Sequence, residues 1–171
     1  MNDFTTRFGK GSTHEKGSNA WPLNVWFKAT INDVTLDEEA TNCALGRLKL
    51  VLGGISVAES GADHVETPEG TFRIGRRLLF RDVPLDFTGD NAETVNDIAI
   101  KTLLQLGYAA GLATQETHDK QTVTVPLPEY ADPVQLGLAL AGRTIRFKVI
   151  STRLDKQGNV QPKTVIYAPV E

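Results

Sequence analysis

The residues of this chain that could do chemistry are three histidines, one cysteine, and a set of basic side chains placed beside aromatic ones in alternating segments. His14, His64 and His118 fall in stretches that read as arm or loop, and no spacing among them suits a metal site. His118 precedes Asp119, a carboxylate able to orient an imidazole, but neither Ser nor Cys stands nearby in a nucleophile setting. Cys43 reads as a small apolar filler. A lone cysteine excludes a disulfide framework and a paired-cysteine zinc site, and it fits a reducing compartment. Gly53-Gly54 matches neither a phosphate-binding loop nor a dinucleotide fingerprint. The expectation is therefore no enzyme, no cofactor and no metal.

Capture of a polyanion is a better match to the residue types. Single-stranded nucleic acid binds along a basic groove that follows the phosphates, with bases stacked on aromatic faces. Arg47, Lys49, Arg146 and Lys148 each alternate with apolar neighbours, so two separate strands present a basic face and together suggest one continuous basic surface. Four arginines, Arg73, Arg76, Arg77 and Arg81, fall within nine residues. The formal net charge is only −3, but it is unevenly spread. Residues 83–140 carry 8 acidic and 2 basic side chains, and residues 141–171 carry 6 basic and 2 acidic ones. A domain that is acidic overall can still show a polyanion one basic face. The aromatic candidates for stacking are Trp21, Trp26, Phe72, Phe80 and Tyr167, while Phe27 and Phe147 share the apolar phase of their strands and belong in the core. Trp26 lies on the opposite phase from Phe27, beside Lys28, which suits either a ligand face or packing under the N-terminal arm.

These residues need elements to position them. Residues 1–20, rich in Gly and Ser and poor in apolar side chains, read as a flexible N-terminal arm, and residues 21–171 as a single domain. Period-2 alternation predicts strands over 24–36 and from 45, with Gly53-Gly54 marking a bulge or sharp bend. Residues 59–70 read as a loop and 71–83 as a third strand whose arginine faces stay open. Asp90 or Asn91 caps a helix through Val95, Ile98, Thr102, Leu103 and Leu106, with Gly107 as its C-cap glycine. A loop or short β segment spans 112–131. Asp132-Pro133 begins a short helix ended by Gly142, a strand follows from Gly142, and a turn at 155–159 leads to the closing strand at 163–167.

The fold class expected from this order is mainly β with α: an OB-like small β-barrel with a helix between its third and fourth core strands and an inserted short helix. The strand over 24–36 is either an addition or part of the barrel.

The succession of motifs resembles the phage-encoded single-stranded DNA-binding proteins of OB-fold type. It runs through Gly46-Arg47-Leu48-Lys49-Leu50 and Gly75-Arg76-Arg77-Leu78-Leu79-Phe80, then Leu103-Leu104-Gln105-Leu106-Gly107. Leu140 to Val149 and Val165-Ile166-Tyr167 complete it. The resemblance covers about residues 40–170 as an ordering of elements. It implies largely sequence-independent binding of single-stranded DNA in phage replication or recombination, in the host cytoplasm. Phosphates would be held by Arg47, Lys49, Arg73, Arg76, Arg77, Arg146 and Lys148, aided by Lys28, and bases by Trp26 with Phe80 or Tyr167. Replication or recombination proteins and a homo-oligomer are the further partners it allows; no membrane is implied. The acidic tail of many such proteins is missing from the last residues, Tyr167 to Glu171, so recruitment through a tail is not expected. The alternative is a phage structural or adaptor β-barrel whose basic strands make protein contacts.

Overall fold

The computed structural model describes residues 20–171. The arm expected over residues 1–20 lies outside them, apart from Ala20.

Alternation of apolar and polar side chains builds the main sheet. Strand β1 (Trp26–Asp37) buries Phe27, Ala29 and Ile31, and β2 (Arg47–Val57) buries Leu48, Leu50 and Leu52. With β5 (Leu79–Pro84), β8 (Thr144–Leu154) and β9 (Val160–Ala168) they form one five-stranded antiparallel sheet in the order β5-β2-β1-β8-β9. The strand over 24–36 is thus the centre of the sheet, joined to β2 on one side and β8 on the other. Between Lys28 and Thr30 the register against β2 jumps from Ser56 to Gly53, so β2 carries an extra residue where Gly54 adopts φ +57°. That is the expected bulge, and it lets the sheet coil.

The third strand is not continuous. Gly75 takes φ +53°, Arg77 donates its N–H to Ile74 O, and the turn divides the segment into β4 (Gly70–Arg73) and β5. β4 pairs with β3 (His64–Thr67), inside the stretch read as a loop, so residues 59–70 contain half of a small hairpin. The sheet edges, β5 and β9, share no hydrogen-bonded ladder. The Arg81 guanidinium spans them instead, donating to Pro162 O at 3.5 Å and Lys163 O at 3.3 Å.

Helix α1 (Ala92–Ala109) lies in the chain between β5 and β8. Its buried stripe is Ala99, Leu103 and Leu106, at i, i+4 and i+7, whereas Ile98 faces solvent, correcting its place in the expected core face. Asn91 stands at the N-cap without a capping side-chain bond. Gly107 does not end the helix. It lies inside it, where a Cβ would come within 3.2 Å of Leu136, and the left-handed glycine past the end is Gly111. Helix α2 (Pro133–Ala139) opens on proline as expected and lays Gly137 against Leu48 of β2. Residues read as a loop or short β segment form a second hairpin, β6 (Ala113–His118) with β7 (Gln121–Pro126).

An aromatic cluster fills the centre of the core. Trp21 packs on Phe72 at 4.8 Å, Phe27 at 5.2 Å and Phe147 at 5.6 Å between ring centroids, and Phe27 stacks on Phe147 at 5.4 Å. Trp21 and Phe72, proposed above for stacking, are core residues. Tyr167 joins them, because it stands opposite Phe147 in the β8–β9 ladder and must share its buried face. The Tyr167 hydroxyl is buried, and burial pushes its pKa up against the opposing pull of Arg81.

Candidate nucleic-acid interface

The outward phase of β1 and β8 creates the most concentrated group of the expected residues. Trp26 stands opposite Lys148 and Lys28 opposite Arg146, because the antiparallel register pairs those positions directly. The Arg146 guanidinium lies 4.7 Å from the Trp26 ring centroid and the Lys148 ammonium also 4.7 Å from it. Cations at such distances are attracted to the negative face of an indole. Trp26 is half-buried, Lys28 is exposed, and both border an open groove of about 960 Å³. Thr144, Arg146 and Glu171 line it too, with Asn24 and residues 57–59. The two cations differ in freedom. Arg146 donates from Nε to Pro169 O at 2.8 Å and meets Glu171 Oε2 at 3.5 Å, while among the described residues Lys148 is held by the Trp26 ring alone. Lys28 makes no ion pair among the described residues.

Arg47 and Lys49 do not join this group. They stand opposite Asp37 and Thr35 near the far end of β1, so Lys49 lies roughly 23 Å along the strand from Lys28. Both are ion-paired there, Arg47 with Asp82 at 3.7 Å and Lys49 with Asp37 at 3.8 Å. The expected continuous basic surface across β2 and β8 is therefore interrupted by carboxylates on neighbouring strands.

The arginine-rich segment separates into roles. Arg73 and Arg76 are exposed on either side of the Gly75 turn. Arg77 folds back over Phe72, its guanidinium 4.5 Å from the ring centroid, and roofs the aromatic core. Phe80 projects from β5 with 66% of its surface exposed, the most open aromatic side chain among the described residues. It borders a cleft of about 330 Å³ between β5 and the β8–β9 turn, lined by Leu78, Arg81, Arg153 and Asp155. Arg153 went unnoticed in the sequence because it lies beyond the irregularity at Ser151, where the β8 alternation changes phase. Glu171 gave no signal, since only the fold brings it to Arg146.

Comparison with family models, with curated proteins and with solved structures returns no match.

The remaining chemical candidates are dispersed. His64 pairs with Asp63 at 3.1 Å and His118 with Glu116 at 3.1 Å, in place of the Asp119 partner suggested above. The His64 hydrogen bond lowers the Asp63 pKa. Both histidines are exposed and sit on hairpin strands, and His14 lies outside the described residues. Among the described residues no group of three or more His, Cys, Asp or Glu side chains could hold a metal ion, and no helix is long and apolar enough to cross a membrane.

Proposed function

We propose that this chain is a non-enzymatic protein that binds single-stranded DNA with little sequence preference, through the groove at Trp26. The observation that carries the reading is one half-buried tryptophan flanked by Arg146 and Lys148, with exposed Lys28 beside it. An aromatic plate set among cations is what a stacked base and its phosphates require. Lys148 is the mobile member: a base stacking on Trp26 displaces its ammonium from the ring toward a phosphate, while Arg146 stays fixed by Pro169. Phe80, with Arg153 at hand, offers a second plate.

Topology supports an OB-like barrel as the scaffold. The order β5-β2-β1-β8-β9, with α1 between β5 and β8 in the chain and Arg81 joining the edges, suits a small, partly open barrel of that kind. The succession of motifs supports a place in phage DNA replication or recombination, in the host cytoplasm. An adaptor role is the second reading, favoured by the solvent-exposed β6–β7 hairpin.

Titration with oligo(dT) at two salt concentrations tests the proposal. Trp21 is buried and Trp26 borders the groove, so binding should quench part of the tryptophan emission, and the affinity should fall as salt rises. No binding at low salt refutes it and favours the adaptor reading.

A further inference from the structure

The β6–β7 hairpin stands apart from the main sheet and, among the described residues, pairs with no other strand. Asp119 and Lys120 both take positive φ, 50° and 67°, giving the two-residue turn that matches the twist of a hairpin. Beyond Ala113, β6 is exposed throughout, and on β7 Gln121, Thr122 and Val123 are exposed. A lone two-stranded ribbon is marginal in water. This one is rich in Thr and Val, residues that favour pleated, partly covered surfaces. It also lacks edge protection: between its turn and Pro126, β7 carries neither a charge nor a proline.

Hydrogen-bond parity determines what the free edge of β7 offers. The pair flanking a two-residue turn, His118 and Gln121, is hydrogen-bonded, and the pattern alternates along the ladder. Glu116–Val123 and Thr114–Val125 are then also bonded pairs, so the N–H and C=O groups of Thr122 and Thr124 point away from β6. No other group among the described residues hydrogen-bonds to them.

We infer that β7 is a self-association edge, pairing antiparallel with β7 of a second copy about a two-fold axis through Val123. The segment Thr122-Val123-Thr124 reads the same in both directions. Centring the pair on Val123 sets Thr122 against Thr124 of the partner subunit, both with outward-pointing groups, so each such pair exchanges two bonds. Val123 meets Val123 of the partner subunit at the non-bonded centre, where Cα atoms approach to ~4.5 Å and side chains contact best. Val125 extends the apolar stripe. No like charges meet across this seam, whereas on β6 every such pairing brings Glu116 of both copies to the edge. The seam is short and ends at Pro126, so the dimer is weak and dissociates on dilution.

Sedimentation velocity across the micromolar range tests this independently of any ligand. The expected result is a mass that doubles with concentration. Thr122→Pro removes an outward N–H and none of the hairpin's own bonds, so it should stay monomeric with an unchanged melting temperature. Val123→Cys should form a disulfide-linked dimer in air, because Cα separation at that position suits the bond; Thr117→Cys on the other edge should not. A wild-type monomer throughout, a folded Thr122→Pro chain that dimerises normally, or cross-linking at Thr117 instead of Val123 would overturn the inference. Should Thr122→Pro lose its fold, the cysteine pair decides the question.

Discussion

Replacing Trp26 by alanine separates ligand binding from folding, because the two tryptophans of this chain have different surroundings. Trp21 is 7% exposed and touches three phenylalanine rings, so Trp21→Ala opens a cavity at the centre of the core. Such truncations cost ~3–5 kcal/mol, which at ~2–4 °C per kcal/mol lowers the melting temperature by ~6–20 °C. Trp26 is half-buried and its named partners are two cations, each contact contributing ~0.5–1 kcal/mol at an exposed site. Trp26→Ala should therefore cost no more than ~2 kcal/mol of stability. If a base stacks there, the same change should remove ~1–3 kcal/mol of binding, an affinity loss from about fivefold to about 150-fold. Thermal melts by circular dichroism and fluorescence anisotropy with labelled oligo(dT) measure both on each variant. A Trp26→Ala protein that melts as low as Trp21→Ala, yet binds with full affinity when folded, would refute the stacking role.

Other expectations follow from the same groove and its surroundings. The double variant Arg146→Ala, Lys148→Ala should flatten the dependence of log K on log[salt] by ~1.4, at ~0.7 per lost phosphate contact, as read from titrations over a salt series. Glu171→Gln should strengthen oligo(dT) binding by up to about fivefold, since an exposed ion pair is worth ~0–1 kcal/mol and Arg146 is freed from it. The Asp155 pKa is lowered, first by the Asn159 backbone N–H and also by Gln161 and the Gln157 N–H. A depressed carboxylate adds stability above its unfolded pKa and loses it as pH falls through the folded value. Denaturation midpoints should therefore drop as pH falls below the usual carboxylate range, and less steeply in Asp155→Ala.

Single-strand alternation carries a great deal in this chain, and it stops where strands meet. The phases of β1 and β8 place Trp26, Lys28, Arg146 and Lys148 outside and Phe27 and Phe147 inside without any knowledge of the fold. Register does the rest, and register is not visible in one strand. Tyr167 follows Val165 at the interval that keeps both on one face, and only its pairing with Phe147 shows that face to be the buried one. Arg47 and Lys49 look free in their own strand, but Asp82 and Asp37 neutralise them from β5 and β1. The third strand failed for a local reason: one glycine in the left-handed region resets the phase, so arginines on its two sides cannot be assigned by counting. Arg77 shows the same limit over a longer range, because the Trp21 and Phe72 rings gather beneath it only in the folded chain.

The central position of β1 governs the order in which this protein can be made. Its first partner, β2, follows after a short connection, so that pairing is available early in synthesis. Its second partner begins at Thr144, and the Phe27–Phe147 pair closes a separation of 120 residues. Contacts of such span are formed late, because loop closure must be offset before they contribute. During translation the β8-side edge of β1 therefore waits unpaired, with Phe27 and Ile31 on an uncovered sheet, until the last strands leave the ribosome. Chains truncated before Thr144 should therefore aggregate more readily than the finished protein, and a chaperone that shields sheet edges would act on them first.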